Sequence, residues 1–388
     1  RYKELDTTTP ANIQLSSNTT LNYPNGANVA RTLTGNLTVD AGSALYMDYG
    51  GTGMTNPLTV GGNVTLNGNV SLGDGIGGDL NVAGNWSKGP SCTFAPNLRA
   101  VKFNHASASQ TITGGGTFDY FIVDKAAGTL SLVDSAVVVN KTLFMTNGKL
   151  VLGANNLTIG STGSISGTSE SNYIVTDGAG KLKQTVGAAT ATLFPIGIST
   201  SSYDPATVTP TTGTTFTIGV SSTLSHTLDE DATQAYINPR EWSITPASAS
   251  STLVTIKPSA FNALYSGGLY NLMANVYDVA SSNYSYASGV TNNSDAMSAT
   301  FTDFSGPFVT GRSSVAVAMK PITHKSGIYA SNGSIVVENA SGKYINIYSL
   351  VGSKVRCIKN SAEKAIIPME KGIYMVSMDD LKSKVLVK

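Results

Sequence analysis

Titratable and nucleophilic chemistry is scarce in this sequence. Histidine occurs three times, as His105, His226 and His324, in three different regions. Cysteine occurs twice, as Cys92 and Cys357, too far apart for a CxxC pair, a metal-ligand spacing or a disulfide framework. Stability must then come from an apolar core and from ladder hydrogen bonds. No HExxH, GxSxG or Walker loop occurs, so no recognisable catalytic or cofactor motif is present, and the chain reads as non-enzymatic and without a cofactor. Only 13% of residues are charged and the net charge is +1. With no basic stripe interleaved with aromatics, nucleic-acid binding is not expected. No run of 18 apolar residues suggests a membrane-spanning helix, and no segment has the pattern of an amphipathic helix. The chain opens on the polar stretch RYKELDTTTP rather than an apolar leader.

What the sequence has is Gly, at 40 positions, with abundant Ser, Thr, Val and Leu. That composition favours short strands joined by tight turns. One phrase recurs: Gly, then Asn or Asp, then alternating apolar and small polar residues. It reads GNLTV (35–39), GNVTL (62–66), GNVSL (68–72), GDLNV (78–82) and GNW (84–86). Apolar triplets begin at Leu37, Leu58, Leu80, Val101 and Phe121, which are 21, 22, 21 and 20 residues apart. Period-two alternation recurring about every 20 residues predicts one coil of a parallel β-solenoid. Inward Val, Leu and Ile of one coil would stack on the next, burying surface that a single coil cannot bury. Gly and Asn are assigned to positive-φ corners. An antiparallel hairpin sandwich is the alternative, and the spacing suits it less well.

The solenoid is expected over 1–168, with 1–30 as a cap on its open end or a segment that pairs with the next copy to build a filament. After Gly167 the alternating segments lengthen, as in TTFTIGV (214–220), REWSIT (240–245) and STLVTIK (251–257), and predict an antiparallel β-sandwich over 169–312. Residues 313–325 read as a linker. Residues 326–388 hold about seven short strands and predict a small Ig-like sandwich. From Ser313 to Lys388 the net charge is +6, against −5 for the rest, so the two parts differ in task or in how they stay soluble.

The carboxyl-terminal segment carries INIYSLVG with Gly352, PMEKGIY with Pro368, Gly372 and Tyr374, and a closing KVLVK with Lys384, Val385 and Lys388. In that order these residues resemble the type A sorting domain of type IX secretion cargo in Bacteroidetes, with Ile367 where the family often has Leu. The resemblance covers 326–388. It implies an address tag read by the type IX translocon and outer-membrane shuttle proteins, with attachment of the cargo to anionic lipopolysaccharide. The body before it, in NGKLVLGANNLTIGSTGSISG (147–167), SNYIVTDGAGKLKQTVGAATATLFPIGIS (171–199) and EWSIT (241–245), is similar to the β-helix-plus-sandwich bodies of secreted Bacteroidetes surface proteins, which implies architecture and no activity. The expected protein is therefore a secreted, cell-surface structural or adhesive protein, whose outer faces meet glycans, matrix or copies of itself.

Other features compete with this reading. The solenoid carboxylates Asp40, Asp48, Asp74, Asp79, Asp119, Asp124 and Asp134 are scattered, whereas a polysaccharide-cleaving groove needs a close pair. GDGIGGD around Asp74 and Asp79 is a single imperfect copy of a calcium-type repeat, and Asp229, Glu230 and Asp231 read as a solvated acidic loop. Tyr265, Tyr270, Tyr277, Tyr284 and Tyr286 offer a glycan platform or, more simply, sheet packing. Thr7 and Ser135 each follow an Asp, resembling the O-glycosylation sites of exported Bacteroidetes proteins. A polysaccharide-acting enzyme and a carbohydrate-binding surface protein are the alternatives to the structural reading.

Overall fold

The computed structural model describes residues 10–23, 29–51, 53–224, 236–259, 270–278, 283–286, 290–293, 295–313, 327–331, 333–338, 340–362, 364–379 and 381–387. Among them there is no α-helix, and the chain is a β-solenoid of about eight turns followed by further sheets. It divides into two compact units, Arg1–Ala316 and Val317–Lys388.

Each early coil carries three strands of about three residues, and strands at the same place in successive coils pair in parallel. One ladder runs through Ile13, Leu37, Val64, Trp86 and Ile112. A second runs through Arg31, Leu58, Leu80, Val101, Phe121, Leu143 and Ile165. The third links Thr20–Asn22, Ala44–Tyr46, Asn69–Ser71 and Phe94–Ala95. Triplets such as LTV, VTL and LNV alternate apolar, polar, apolar, so Leu37, Val39, Leu58, Val60, Val64, Leu66, Leu80 and Val82 all point inward and are at most 1% exposed. Each such side chain contributes about 1.5–3 kcal/mol by leaving water. Leu58, Leu80, Val101 and Phe121 thus stack as the repeat predicted. Leu37 does not: it stands in the first ladder, on Val64.

The Gly-Asn phrase has a different physical basis from the one expected. Gly35, Gly62 and Gly84 are not in the left-handed region. They pack coil against coil: a Cβ on Gly62 would overlap the Asn36 side chain and the Gly35 backbone, and one on Gly84 would overlap Gly62. The Asn residues form a side-chain ladder. Oδ1 of Asn12, Asn36, Asn63 and Asn85 each accepts the backbone N–H of Asn36, Asn63, Asn85 and Thr111 in turn, at 2.7, 2.8, 2.8 and 2.9 Å. A true left-handed corner appears at Gly42, with φ +80.

In the middle coils the strands Gly116–Leu132 and Val137–Val151 run through corners without a break, bending at register shifts. Trp86 fills the interior there, with ring centroids 5.2 Å from Phe94 and 5.5 Å from Phe118. Parallel pairing continues past Gly167 to Ile174–Ile196. The strand Leu182–Val186 then takes Thr214–Ser221 as an antiparallel partner, and that sheet extends through Tyr236–Pro246, Phe308–Ser313, Tyr270–Asp278 and Asn283–Tyr286. A second antiparallel sheet orders Thr192–Phe194, Ala206–Pro210, Thr252–Ile256, Ala296–Phe301 and Thr291–Asn293. One buried cluster runs from Leu15 through both regions to Phe308. The antiparallel strands therefore close the solenoid edge and share its core.

Among the described residues of the carboxyl-terminal unit, seven strands form two antiparallel sheets. Ile328–Ser331, Ser334–Glu338 and Lys364–Pro368 make one; Lys354–Lys359, Tyr344–Ser349, Gly372–Met378 and Leu381–Val387 make the other. Ile335, Val337, Ile345, Ile347, Ile367, Val376, Met378, Val385 and Val387 fill a core of their own.

Candidate functional site

The four-stranded sheet of the carboxyl-terminal unit buries one face and presents the other. Alternation along Tyr344–Ser349 sends Ile345 and Ile347 inward and Tyr344, Asn346 and Tyr348 outward. Register carries this across the strands. Lys354 lies opposite Tyr348, Tyr348 opposite Met375, and Met375 opposite Lys384. The next outward row is Cys357, Asn346, Ser377 and Lys382, and a third pairs Lys359 with Tyr344. Lys354 Nζ sits 5.7 Å from the Tyr348 ring centroid and Lys359 Nζ 5.5 Å from that of Tyr344, so cation–π attraction holds both ammonium groups over the sheet. These rows hold four lysines, two tyrosines and no carboxylate. Such a face attracts anions, and more strongly at low ionic strength.

The residues singled out in the sequence divide by role. Gly352 lies in the turn between two of these strands with φ +83, where only Gly is unstrained. Pro368 ends the edge strand of the three-stranded sheet, and its carbonyl accepts a bond from Arg356 Nη1 at 3.4 Å. Gly372 opens its strand and sits against the Tyr374 ring. Tyr374 is half-buried and donates its hydroxyl to the Glu370 carbonyl at 3.1 Å. Val385 belongs to the core. Lys384 alone among them joins the outward face, and Lys388 lies outside the described residues. Tyr348 stood within the INIYSLVG motif, but the face itself was missed, with Tyr344, Lys354, Lys359 and Lys382. The alternation in YINIYS was the signal for the tyrosines.

The solenoid carboxylates are mostly tied to neighbouring coils. Asp40 accepts from Gln14, Asp79 from Ala100 N, Asp119 from Leu98 N and Asn140, and Asp134 from Gly114 N. Lys102 pairs with Asp124 at 2.6 Å, and this bond holds the Asp124 carboxyl below its ordinary range. Asp74 is exposed on a turn. His105 occupies a corner, its Nδ1 accepting from Ser107 and Ala108 N–H. No group of three His, Cys, Asp or Glu side chains placed to hold a metal occurs among the described residues. Ser135 is half-buried at a coil corner. Thr7, His226, Asp229, Glu230, Asp231, Tyr265 and His324 lie outside the described residues, as do the side chains of Tyr270, Tyr277, Tyr284 and Tyr286.

Fold and site together define a β-solenoid protein that ends in a small, separately cored β-sandwich unit. A family model described as a domain of unknown function (DUF6383) matches residues 317–387. No curated protein and no solved structure matches the chain.

Proposed function

We propose that the carboxyl-terminal unit is an export tag of the type IX sorting kind, and that the coiled body is its non-catalytic cargo, a structural or adhesive protein of the bacterial cell surface. The observation that carries this reading is a coincidence of boundaries. The compact unit begins at Val317, and the family model spans 317–387. A module with its own core, matched on its own, is what a portable address requires. The tag residues Gly352, Pro368, Gly372, Tyr374 and Val385 hold the small sandwich together, while Lys384 and its neighbours offer a cationic face to the translocon, to shuttle proteins or to anionic lipopolysaccharide. The body suits a passive role. Its carboxylates serve largely to tie coil to coil, and its ladders give a rigid rod.

The test uses a Bacteroidetes host with a working type IX system. Deletion of 317–388 should leave the protein in the periplasm, and fusing 317–388 to a periplasmic reporter should carry the reporter to the cell surface. Surface delivery of the truncated chain would overturn the proposal.

A further inference from the structure

A groove of about 630 Å³ opens on the first coils of the solenoid, lined by Asn18, Thr20, Asn22, Tyr46, Asp48 and Tyr49 among others. Two strands make its floor, Thr20–Asn22 and Ala44–Tyr46, paired so that Asn22 lies opposite Tyr46. Its wall is made by Asp48, Tyr49 and Gly50, in a loop whose base is closed by the Met54 N–H donating to the Met47 carbonyl at 2.8 Å. Met47 and Met54 are buried and anchor this loop. The ladder does not need all of this loop, for the next coil covers the same step, from Asn69–Ser71 to Leu80, with eight residues (72–79) against eleven (47–57).

Two polar groups are set up for a ligand. Asn22 is 8% exposed, and its Oδ1 has no hydrogen-bond partner among the described residues. An amide oxygen buried without a partner costs about 1–3 kcal/mol, a cost relieved when the Asn22 side chain turns this oxygen toward a donor in the groove. Asp48 Oδ2 accepts from Ser71 Oγ at 2.6 Å and Asn97 Nδ2 at 3.2 Å, which fixes the carboxylate at the groove edge. Tyr46 and Tyr49 are half-buried beside them and supply aromatic surface.

We infer that this groove binds a neutral saccharide of two or three units, with sugar rings packed on both Tyr46 and Tyr49 and ring hydroxyls donating to Asn22 Oδ1 and Asp48. The lining selects this class. Among the described residues it carries no Lys, Arg or His, so phosphate, sulfate and uronate find no counter-charge. A single carboxylate is too few for a metal ion. Asn, Thr and Asp side chains exclude a purely apolar ligand. The volume lies in the range of small-molecule sites. Asp48 is the only carboxylate in the lining among the described residues, so the groove has no partner group for glycosidic hydrolysis and serves to hold. This goes beyond the export reading and does not depend on it, since failure to bind sugar would leave the addressing role of the tail intact.

The probe is a panel of maltotriose, cellotriose, mannotriose and N-acetylchitotriose, with trigalacturonate as the anionic comparator, titrated into the full chain by saturation-transfer NMR and calorimetry. At least one neutral trisaccharide should bind, and trigalacturonate should not. Asn22→Leu and Tyr46→Ala should each weaken that binding at least tenfold. Tyr49→Ala lies outside the strands and should do the same with an unchanged melting temperature, which keeps the test valid if a strand variant misfolds. Absence of binding by every neutral sugar, binding of trigalacturonate alone, or full binding by folded Tyr49→Ala and Asn22→Leu proteins would each overturn the inference.

Discussion

Asn36 and Asn63 stand one coil apart, and Oδ1 of Asn36 accepts the backbone N–H of Asn63 at 2.8 Å. Asn63 repeats the contact with Asn85, also at 2.8 Å. At this corner the amide side chain is the connector between coils, and the preceding Gly gives it room. Asn63→Ala would leave the Asn85 N–H without its acceptor and should cost about 1–3 kcal/mol. Asn63→Asp keeps an acceptor and should cost less. Gly62→Ala should be worse than either, because the new Cβ meets backbone as well as side chain. Thermal and guanidinium unfolding of the three variants checks the order. A Gly62→Ala protein as stable as the parent would remove the close-packing argument.

The coil period was legible because Leu58, Leu80, Val101 and Phe121 keep nearly constant spacing while sharing one ladder. It failed at Leu37 because the excursion from Met47 to Met54 lengthens the preceding coil. The true predecessor of Leu58 is Arg31, and Leu37 reached the right spacing by accident. Gly and Asn do mark a corner, but composition cannot separate a residue chosen for positive φ from one chosen for lack of a Cβ. That distinction depends on the distance to the next coil. Likewise, Gly352 and Pro368 were readable from local backbone rules, whereas the lysine-tyrosine face needs register between strands far apart in sequence. The groove beside Asn22 had no signal at all, since its members come from two coils and an irregular loop.

Lys125 is 2% exposed, and its ammonium group donates to the carbonyls of His105 and Ala108 and to Gln110 Oε1, at 2.8, 2.6 and 2.9 Å. It thereby ties down the corner loop beneath it. Lys125→Met should cost about 1–3 kcal/mol, because the His105 and Ala108 carbonyls lose this donor, while Gln110 Oε1 keeps the His105 N–H at 3.0 Å. Burial pushes the Lys125 pKa down to about 8, against about 10.4 in an unfolded chain. Between those values the unfolded chain holds a proton that the folded chain has released, so this group makes stability rise with pH through that window. Below about pH 8 both states are protonated and the contribution is flat. Tyr173, pushed up to about 12 by burial, acts in the opposite sense above pH 10. The difference between parent and Lys125→Met therefore isolates the lysine. An identical pH slope in both proteins would contradict the assignment.

Asp204 is fully buried where the coils meet the antiparallel sheets. Its carboxylate accepts Ser259 N–H at 2.7 Å and Ser202 Oγ–H at 3.0 Å and lies 3.5 Å from Arg240 Nε, while its carbonyl accepts the Trp242 indole N–H at 2.9 Å. Removing the carboxylate alone leaves Arg240 without its counter-charge and the Ser259 N–H without its acceptor, while Ser202 Oγ keeps Ser259 Oγ at 2.6 Å, so Asp204→Ala should cost about 2–4 kcal/mol. Asp204→Asn keeps an acceptor and should cost less. Trp242 reports the damage directly, because opening the junction would shift its emission to the red. A large stability loss with unchanged Trp emission would place the effect elsewhere.

The cationic face of the carboxyl-terminal unit yields the prediction closest to the proposed role. Lys354 and Lys384 lie at the two ends of one row, joined through Tyr348 and Met375, and both are exposed. Neither belongs to the core, so Lys354→Glu with Lys384→Glu should leave the melting temperature within a few degrees of the parent. Binding should change far more. Two reversals move the charge of the face by four units, and Lys359 and Lys382 alone remain to attract an anion. On an immobilised anionic polysaccharide such as dextran sulfate the parent should be retained and released by salt, and the double variant should pass through, because screening acts on both partners alike. The same variant, expressed in a type IX-competent host, separates the two uses of the tail. If the face docks on the export machinery, export falls although the domain still folds. If export is normal while polyanion retention is lost, the face acts after secretion, at the anionic surface. Retention of the double variant equal to that of the parent would mean that these lysines serve only solubility.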